Sequence, residues 1–268
     1  MSEARRTLVL VIGGLDPSGA GLQADIETCF SLGTHALPVA SAVTVQNTAG
    51  MLKAIPVSPG DVHDQIRTIL SDCAPVAACK IGMLAGLETA EAVAEALDQL
   101  PHHTPVILDP VLRATSGARL MEEALRANWP RRLLERVTLA KPNRAEARAM
   151  SWVNERGPCG SGLIPEYLLV TGTDDATGSE ASHQLFREER MCREFILPVL
   201  PGSFHGTGCT LTSAIASFCA LGLAMPEAVA AALDYTWQSV REGYSIGGKQ
   251  SMPERRRPSS SPDRRSAT

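Results

Sequence analysis

The chain of 268 residues lacks several features that would announce a function. No apolar run reaches the roughly 18–20 residues that a membrane-crossing helix needs. The first residues, Met1-Ser-Glu-Ala-Arg-Arg-Thr7, lead into a short strand-like run and not into the longer apolar core and small-residue cleavage site of a signal peptide. A cytoplasmic location is the expectation. Excess positive charge is also missing. With 25 Lys and Arg against 29 Asp and Glu, the net charge of -4 gives no reason to expect nucleic acid or an anionic membrane as a partner. The seven cysteines are odd in number and form no CxxC pair, which argues against a disulfide framework and a zinc site. Cys29, Cys73, Cys79 and Cys219 lie among apolar residues and read as small core side chains. GxGxxG is absent, as is the GK[ST] of a phosphate-binding P-loop. No linker interrupts the chain before about residue 247, so one domain is expected over 1–247. Residues 248–268 are rich in Ser, Pro and Arg and are expected to form a disordered basic tail.

What is present centres on Leu200 to Phe218. Gly206-Thr207-Gly208 forms a flexible turn, and from Cys209 onward Leu211, Ile215 and Phe218 recur at helical spacing. A glycine turn feeding a helix leaves backbone N–H groups unpaired and pointing one way, and the helix dipole favours an anion there. Cys209 stands where turn and helix meet, a position that tends to lower a thiol pKa. The same residues also suit a buried turn with a packing helix.

Strands and helices alternate along the rest of the chain. Thr7–Ile12 is a buried strand, followed by the loop Gly13-Gly-Leu-Asp16-Pro-Ser-Gly-Ala-Gly21 and a helix over Leu22–Leu32 carrying Gln23 and Asp25 in its first turn. Asp25 suits either a polar ligand or the positive end of its helix. Ala36–Val45 is a strand closing in Gln46-Asn47-Thr48. The Gln46 amide can donate and accept together, as the edge of an aminopyrimidine requires, or can cap its loop. Pro59–Asp72 and Glu88–Leu100 read as helices, Ala77–Ile81 as a strand before Gly82-Met83, and Pro105–Leu108 as a strand before Asp109. An acid at the carboxyl end of a strand lies where open α/β sheets bind ligands. Leu120–Leu134 reads as one or two helices and Val137–Ala140 as a strand. Asn143 and Glu146 then share a face at a helix start, as Mg²⁺ ligands acting largely through water or as a capping box. Ser151–Ser161 reads as a loop, Tyr167–Val170 as a strand running into the turn Thr171–Asp175, His183–Arg187 with Cys192–Leu197 as a hairpin, and Pro226–Tyr244 as the last helix. This alternation implies a mainly parallel sheet covered on both faces.

These segments resemble the ribokinase-like superfamily, and within it the hydroxymethylpyrimidine/phosphomethylpyrimidine kinases of thiamin biosynthesis. The resemblance rests on Gly13 to Asp25, Val43-Thr-Val45-Gln46-Asn-Thr48, Lys80-Ile-Gly-Met83, Leu108-Asp109-Pro-Val111, Lys141-Pro-Asn143 to Glu146, and His205-Gly-Thr-Gly-Cys209-Thr, in the family's order over residues 7 to 245. It implies a three-layer ribokinase-like fold, with a pyrimidine, ATP and Mg²⁺ as ligands. By resemblance, Gln46, Asp25 and Gly13 contact the pyrimidine, and Val45, Met83 and Val111 wall it. Gly206, Thr207, Gly208 and Cys209 form the anion hole, with Cys209 as base. Asp109, Asn143 and Glu146 organise the metal, and Thr171 and Gly172 lie near ATP. A homodimer is implied by analogy. Two departures fall near the nucleotide: the stretch between Glu146 and Thr171 is short for the family, and its usual Lys-Gly-Gly reads Thr171-Gly172-Thr173 here. A pyridoxal kinase and a non-catalytic pyrimidine sensor are the competing readings.

Overall fold

The computed structural model describes residues 6–73, 75–112, 125, 128–154, 157–158, 165–173, 176 and 178–256. The first strand, β1 (Leu8–Leu15), shows why a sheet forms with helices on both sides. Val9 and Val11 point to one face, Leu10 and Ile12 to the other, and all four are fully buried. Burying such a side chain contributes about 1.5–3 kcal/mol, which only a covered sheet can collect on both faces. β1 lies in a nine-stranded sheet with β2 (His35–Asn47), β3 (Gly50–Pro56), β4 (Val76–Ile81), β5 (Val106–Leu108), β6 (Leu139–Ala140), β9 (Tyr167–Val170), β10 (Glu180–Arg187) and β11 (Arg190–Pro198), in the order β11-β10-β9-β6-β5-β4-β1-β2-β3. The run from β9 to β2 is parallel, and both flanks are antiparallel. Short strands β7 (Val153–Asn154) and β8 (Gly157–Pro158) pair apart from this sheet.

One face is covered by α2 (Pro59–Asp72), α3 (Leu87–Leu97) and α4 (Arg131–Leu134). There Val62, Ile66, Val93, Leu97 and Leu133 join Leu10, Ile12 and Ile81. The other is covered by α1 (Gly21–Ser31), α6 (Thr207–Ala220) and α7 (Met225–Arg241), whose Leu22, Leu211, Ile215, Val229 and Leu233 pack on Val9 and Val11. Local signals fix several ends. Ser58 caps α2 by accepting the Asp61 N–H at 3.1 Å, with Pro59 in the first helical turn. Asn143 and Glu146 complete the capping box of α5 (Arg144–Ala149). The expectation of three layers, a mainly parallel sheet with helices on both faces, is borne out.

Two expectations need correction. The last helix ends at Arg241, and Tyr244–Ser245 forms β12, paired with β13 (Ser251–Met252). The expected disordered tail therefore does not begin at residue 248. Met252 is 1% exposed and Arg255 8%, because the first fills a gap against Gly19 and the second finds three polar partners. Residues 257–268 lie outside the described residues, as do residues 120–124 and 126–127 of the helices expected over Leu120–Leu134, parts of the 151–161 loop, and Asp174-Asp175.

Candidate active site

Parallel strands end on a common edge, and that edge carries the chemistry. The ends of β1, β2, β4, β5 and β6 and the start of α6 surround a cleft of about 800 Å³. Gly13, Gln46, Met83, Val111, Asp109, Asn143, Glu146, Thr171 and Gly206 to Cys209 all line it.

On the β1–β2 side the structure adds two residues. Asp16 Oδ1 accepts both the backbone N–H and the hydroxyl of Ser18 at 2.7 Å. Asp16 Oδ2 accepts from Gln46 Nε2 at 2.5 Å and lies 2.6 Å from His205 Nε2. Burial works to raise the Asp16 pKa, but the bonds from His205 and Ser18 prevail and hold it below its ordinary value. Gln46 is thus oriented by a buried carboxylate, with its amide at the cleft surface. His205 Nδ1 is buried without a hydrogen-bond partner among the described residues. The positions adjoin residues already singled out, in Gly-Leu-Asp-Pro-Ser-Gly and His-Gly-Thr-Gly-Cys, but nothing local says that the two loops meet.

Opposite stands the turn before α6. Gly206 is its N-cap residue with φ +82, in the left-handed region where glycine carries no steric penalty. At Gly208 a Cβ would sit 3.1 Å from Lys141 Nζ and 3.4 Å from Asp109 Oδ2, so the missing side chain leaves a polar recess. Lys141 pairs with Asp109 Oδ1 at 2.9 Å, and both are buried. Burial acts against the Lys141 ammonium, yet Asp109 and Glu146 outweigh it and raise its pKa. Beneath the turn, Lys80 Nζ lies 2.8 Å from Asp25 Oδ2, and Ser213 donates to Asp25 Oδ1 at 2.7 Å. Burial lowers the Lys80 pKa, but Asp25, Cys209 and Asp109 more than reverse this. These buried lysines at strand ends were not expected as site residues. Their signal is a Lys closing an otherwise apolar strand.

Cys209 meets the cleft, but its thiol departs from expectation. Burial pushes its pKa above the ordinary value, Lys80 draws it back in part, and Asp25 and Asp109 push it up again. The helix-terminus effect does not overcome desolvation.

Three expected positions differ. Asp25 is fully buried under the cleft, its oxygens taken by Lys80 and Ser213, so it is a support and not a contact. Val45 points away from the cleft and is 38% exposed, because alternation along β2 puts Thr44 on the cleft side. Gly172 lies in a neighbouring open depression with Arg144 and Arg148, while Thr171 remains in the cleft. The Asn143 Oδ1 atom accepts the Glu146 N–H at 2.7 Å, and Glu146 Oε2 accepts the Asn143 N–H at 2.9 Å. Glu146 Oε1 accepts from Leu112 N at 3.2 Å. Burial raises the Glu146 pKa, with Lys141 opposing and Asp109 adding. Further along, Leu197, Leu233 and Trp237 give the cleft an apolar stretch beside His183.

The mainly parallel sheet carries two glycine loops and the start of α6 at its carboxyl edge, the arrangement of the ribokinase-like fold. The ADP complex of the Bacillus subtilis pyridoxal kinase shares this fold, with a TM-score of 0.79 at 22% identity over 94% of this chain and 98% of that one. A sequence model described as phosphomethylpyrimidine kinase matches residues 16–254, and the chain belongs to that family. The hydroxymethylpyrimidine/phosphomethylpyrimidine kinase of Streptomyces coelicolor is 34% identical over 257 residues, covering 90% of this chain and 91% of that protein. The crystal structure of the Clostridium difficile 630 phosphomethylpyrimidine kinase agrees with a TM-score of 0.69 at 28% identity, covering 88% of this chain and all of that one (100%).

Proposed function

We propose that the chain transfers the γ-phosphoryl group of ATP to the hydroxymethyl oxygen of 4-amino-5-hydroxymethyl-2-methylpyrimidine, and a second such group to the resulting monophosphate, in thiamin biosynthesis. The observation that carries this reading is the convergence of Gln46, the Gly206–Cys209 turn and Asp109 on one cleft. The Gln46 side-chain oxygen accepts from the pyrimidine's amino group, its nitrogen being taken up by Asp16, Ser18 and His205. Gly13, Met83 and Val111 bound the ring. The hydroxymethyl group faces Cys209, whose thiolate takes the alcohol proton as the new O–P bond forms, the bond from the γ-phosphorus to the bridging oxygen breaks and ADP leaves. Backbone N–H groups at the α6 start stabilise the transferring oxygens. In the second transfer the nucleophile is a phosphate oxygen already ionised near pH 7, and it needs no base. ATP lies along the apolar stretch past Thr171.

Mg²⁺ fits the donor set in one manner only. Among the described residues no cluster of three His, Cys, Asp or Glu side chains could hold a metal unaided. Asp109 and Glu146 would hold it together with water and the nucleotide phosphates, as this hard, hydrated ion prefers. Asn143, engaged in the cap of α5, serves by fixing Glu146. When bound, the ion would shield the charge of the transferring group.

A cytoplasmic location is consistent with the absence, among the described residues, of any helix long and apolar enough to cross a membrane. One face of β2 and β3 exposes Val43, Val45 and Ile55, with the exposed Leu52 at the register shift between the strands, which favours a homodimer as the assembly. Sedimentation of the purified chain tests that part. The reaction is tested by incubating the protein with the pyrimidine alcohol, ATP and Mg²⁺ and resolving products. Monophosphate followed by diphosphate is expected. Pyridoxal phosphorylated in place of the pyrimidine would overturn the substrate, and tight pyrimidine binding without ADP release would make the protein a sensor.

A further inference from the structure

The segment after α7 returns to the site and ends on a buried cation. Ser251 receives the His205 N–H at 2.9 Å and donates its own N–H to Ser203 O at 2.9 Å. Met252 packs on Gly19, and the Glu254 N–H bonds to Ser239 O at 2.8 Å. This brings Arg255 behind both glycine loops. Its Nη2 donates to Gly19 O at 2.8 Å, its Nε to Thr210 Oγ1 at 2.8 Å, and its Nη1 pairs with Glu27 Oε2 at 2.6 Å. Thr210 Oγ1 in turn donates to Gly206 O at 2.8 Å.

In a trans peptide the carbonyl and the following N–H point in opposite directions. Holding the Gly19 and Gly206 oxygens from behind therefore aims the N–H groups of Ala20 and Thr207 the other way. Ala20 and Thr207 both line the cleft. One rigid fork thus sets two peptide planes, one from each loop. Its charge is not the device: a cation near a helix N-terminus opposes the dipole, and here Glu27 balances it.

We propose that Arg255 is a positioning residue for phosphoryl transfer, fixing the first glycine loop and the Gly206–Cys209 turn in register so that their amides meet the transferring group together. This rests on the kinase reading above. The test compares Arg255→Ala and Arg255→Lys with the parent in kcat and KM for each transfer, in melting temperature, and in hydrogen exchange at the Ala20 and Thr207 amides. Arg255→Ala is expected to lower kcat in both transfers by about 100-fold, the cost of misplacing a catalytic group by roughly 1 Å, with little change in pyrimidine KM. Exchange at the two amides is expected to rise more than at α3. Arg255→Lys keeps the charge but not the fork, so it is expected to recover only part of kcat. Added guanidinium ion is expected to restore part of the Arg255→Ala activity. Unchanged kcat per folded molecule, or full recovery in Arg255→Lys, overturns the proposal, as does exchange that rises equally across the molecule. The exchange comparison needs no turnover, so it judges the brace even if the parent makes no pyrimidine phosphate, a result that would defeat the kinase reading instead.

Discussion

Cys209 stands over Lys80, Asp25 and Asp109 in a site where desolvation dominates. The two transfers ask different things of it. Replacing it by Ala is expected to slow the first by about 10²–10⁴-fold, the range of a lost general base, and the second far less. Following monophosphate and diphosphate formation separately checks this, and equal losses would remove the base role. Because the thiol pKa is raised above the ordinary 9.0, the thiolate is scarce at neutral pH and increases with pH. The rate of the first transfer is therefore expected to climb through pH 8–9 without levelling, while the second stays nearly flat there. A pH–rate profile of Cys209→Ala should lose that rise. Among individual residues, the places of Gln46, Asp109 and Cys209 along the cleft were legible because each stands at the end of a strand or the start of a helix. Asp25 and Val45 were misjudged for physical reasons. The Asp25 partner is Lys80, distant in sequence, and the face of Val45 follows from which strand-mates are buried, not from its apolar character.

At the scale of elements, the turn into α6 depends on one backbone conformation. With φ +82 at Gly206, a Cβ there would come within 2.7 Å of Arg255 Nη2 and 2.8 Å of Gly19 O. Gly206→Ala is expected to cost at least about 1–2 kcal/mol from the left-handed conformation alone, with kcat falling further than stability explains. Urea unfolding beside steady-state kinetics measures both. A variant as stable and as active as the parent would mean that the turn tolerates a second geometry. Elements with strong local signals were readable. Pro59–Asp72 has its cap, its proline and its apolar spacing, and Tyr167–Val170 is a compact β-forming run. β3 was not foreseen, because Leu52 is 82% exposed and the strand is held by pairing with β2, so it has no buried face to imprint a pattern. The β12–β13 segment was hidden in the same way: its polar composition resembles a tail, and its order comes from partners far back in the chain.

Across the whole molecule, acid should be the weak side. His183 is buried, has no partner at Nδ1 among the described residues, and has its pKa lowered from 6.5 to about 4 by burial, with Lys141 and Arg144 adding. The unfolded chain binds that proton more readily, so the contribution of neutral His183 is present above pH 6.5 and is lost as pH falls toward 4. On the order of 3 kcal/mol of unfolding free energy is expected to disappear over that window. Asp16, held below its ordinary 3.8, acts in the same direction at lower pH. Chemical unfolding at stepped pH gives the slope, and His183→Gln should flatten it between pH 6.5 and 4. An unchanged slope would show that His183 is not the group responsible. The parallel sheet with its two covered faces was legible from alternation alone, whereas the joining of the two glycine loops needed the assembled molecule. That joining also has a tempo. Gly19 and Arg255 are 236 residues apart, so at about 5–20 residues per second a ribosome completes the first loop roughly ten to fifty seconds before it makes the side chain that holds it. During synthesis the nascent chain has a Gly19 loop with its carbonyl untethered, and phosphoryl transfer competence is among the last properties it acquires.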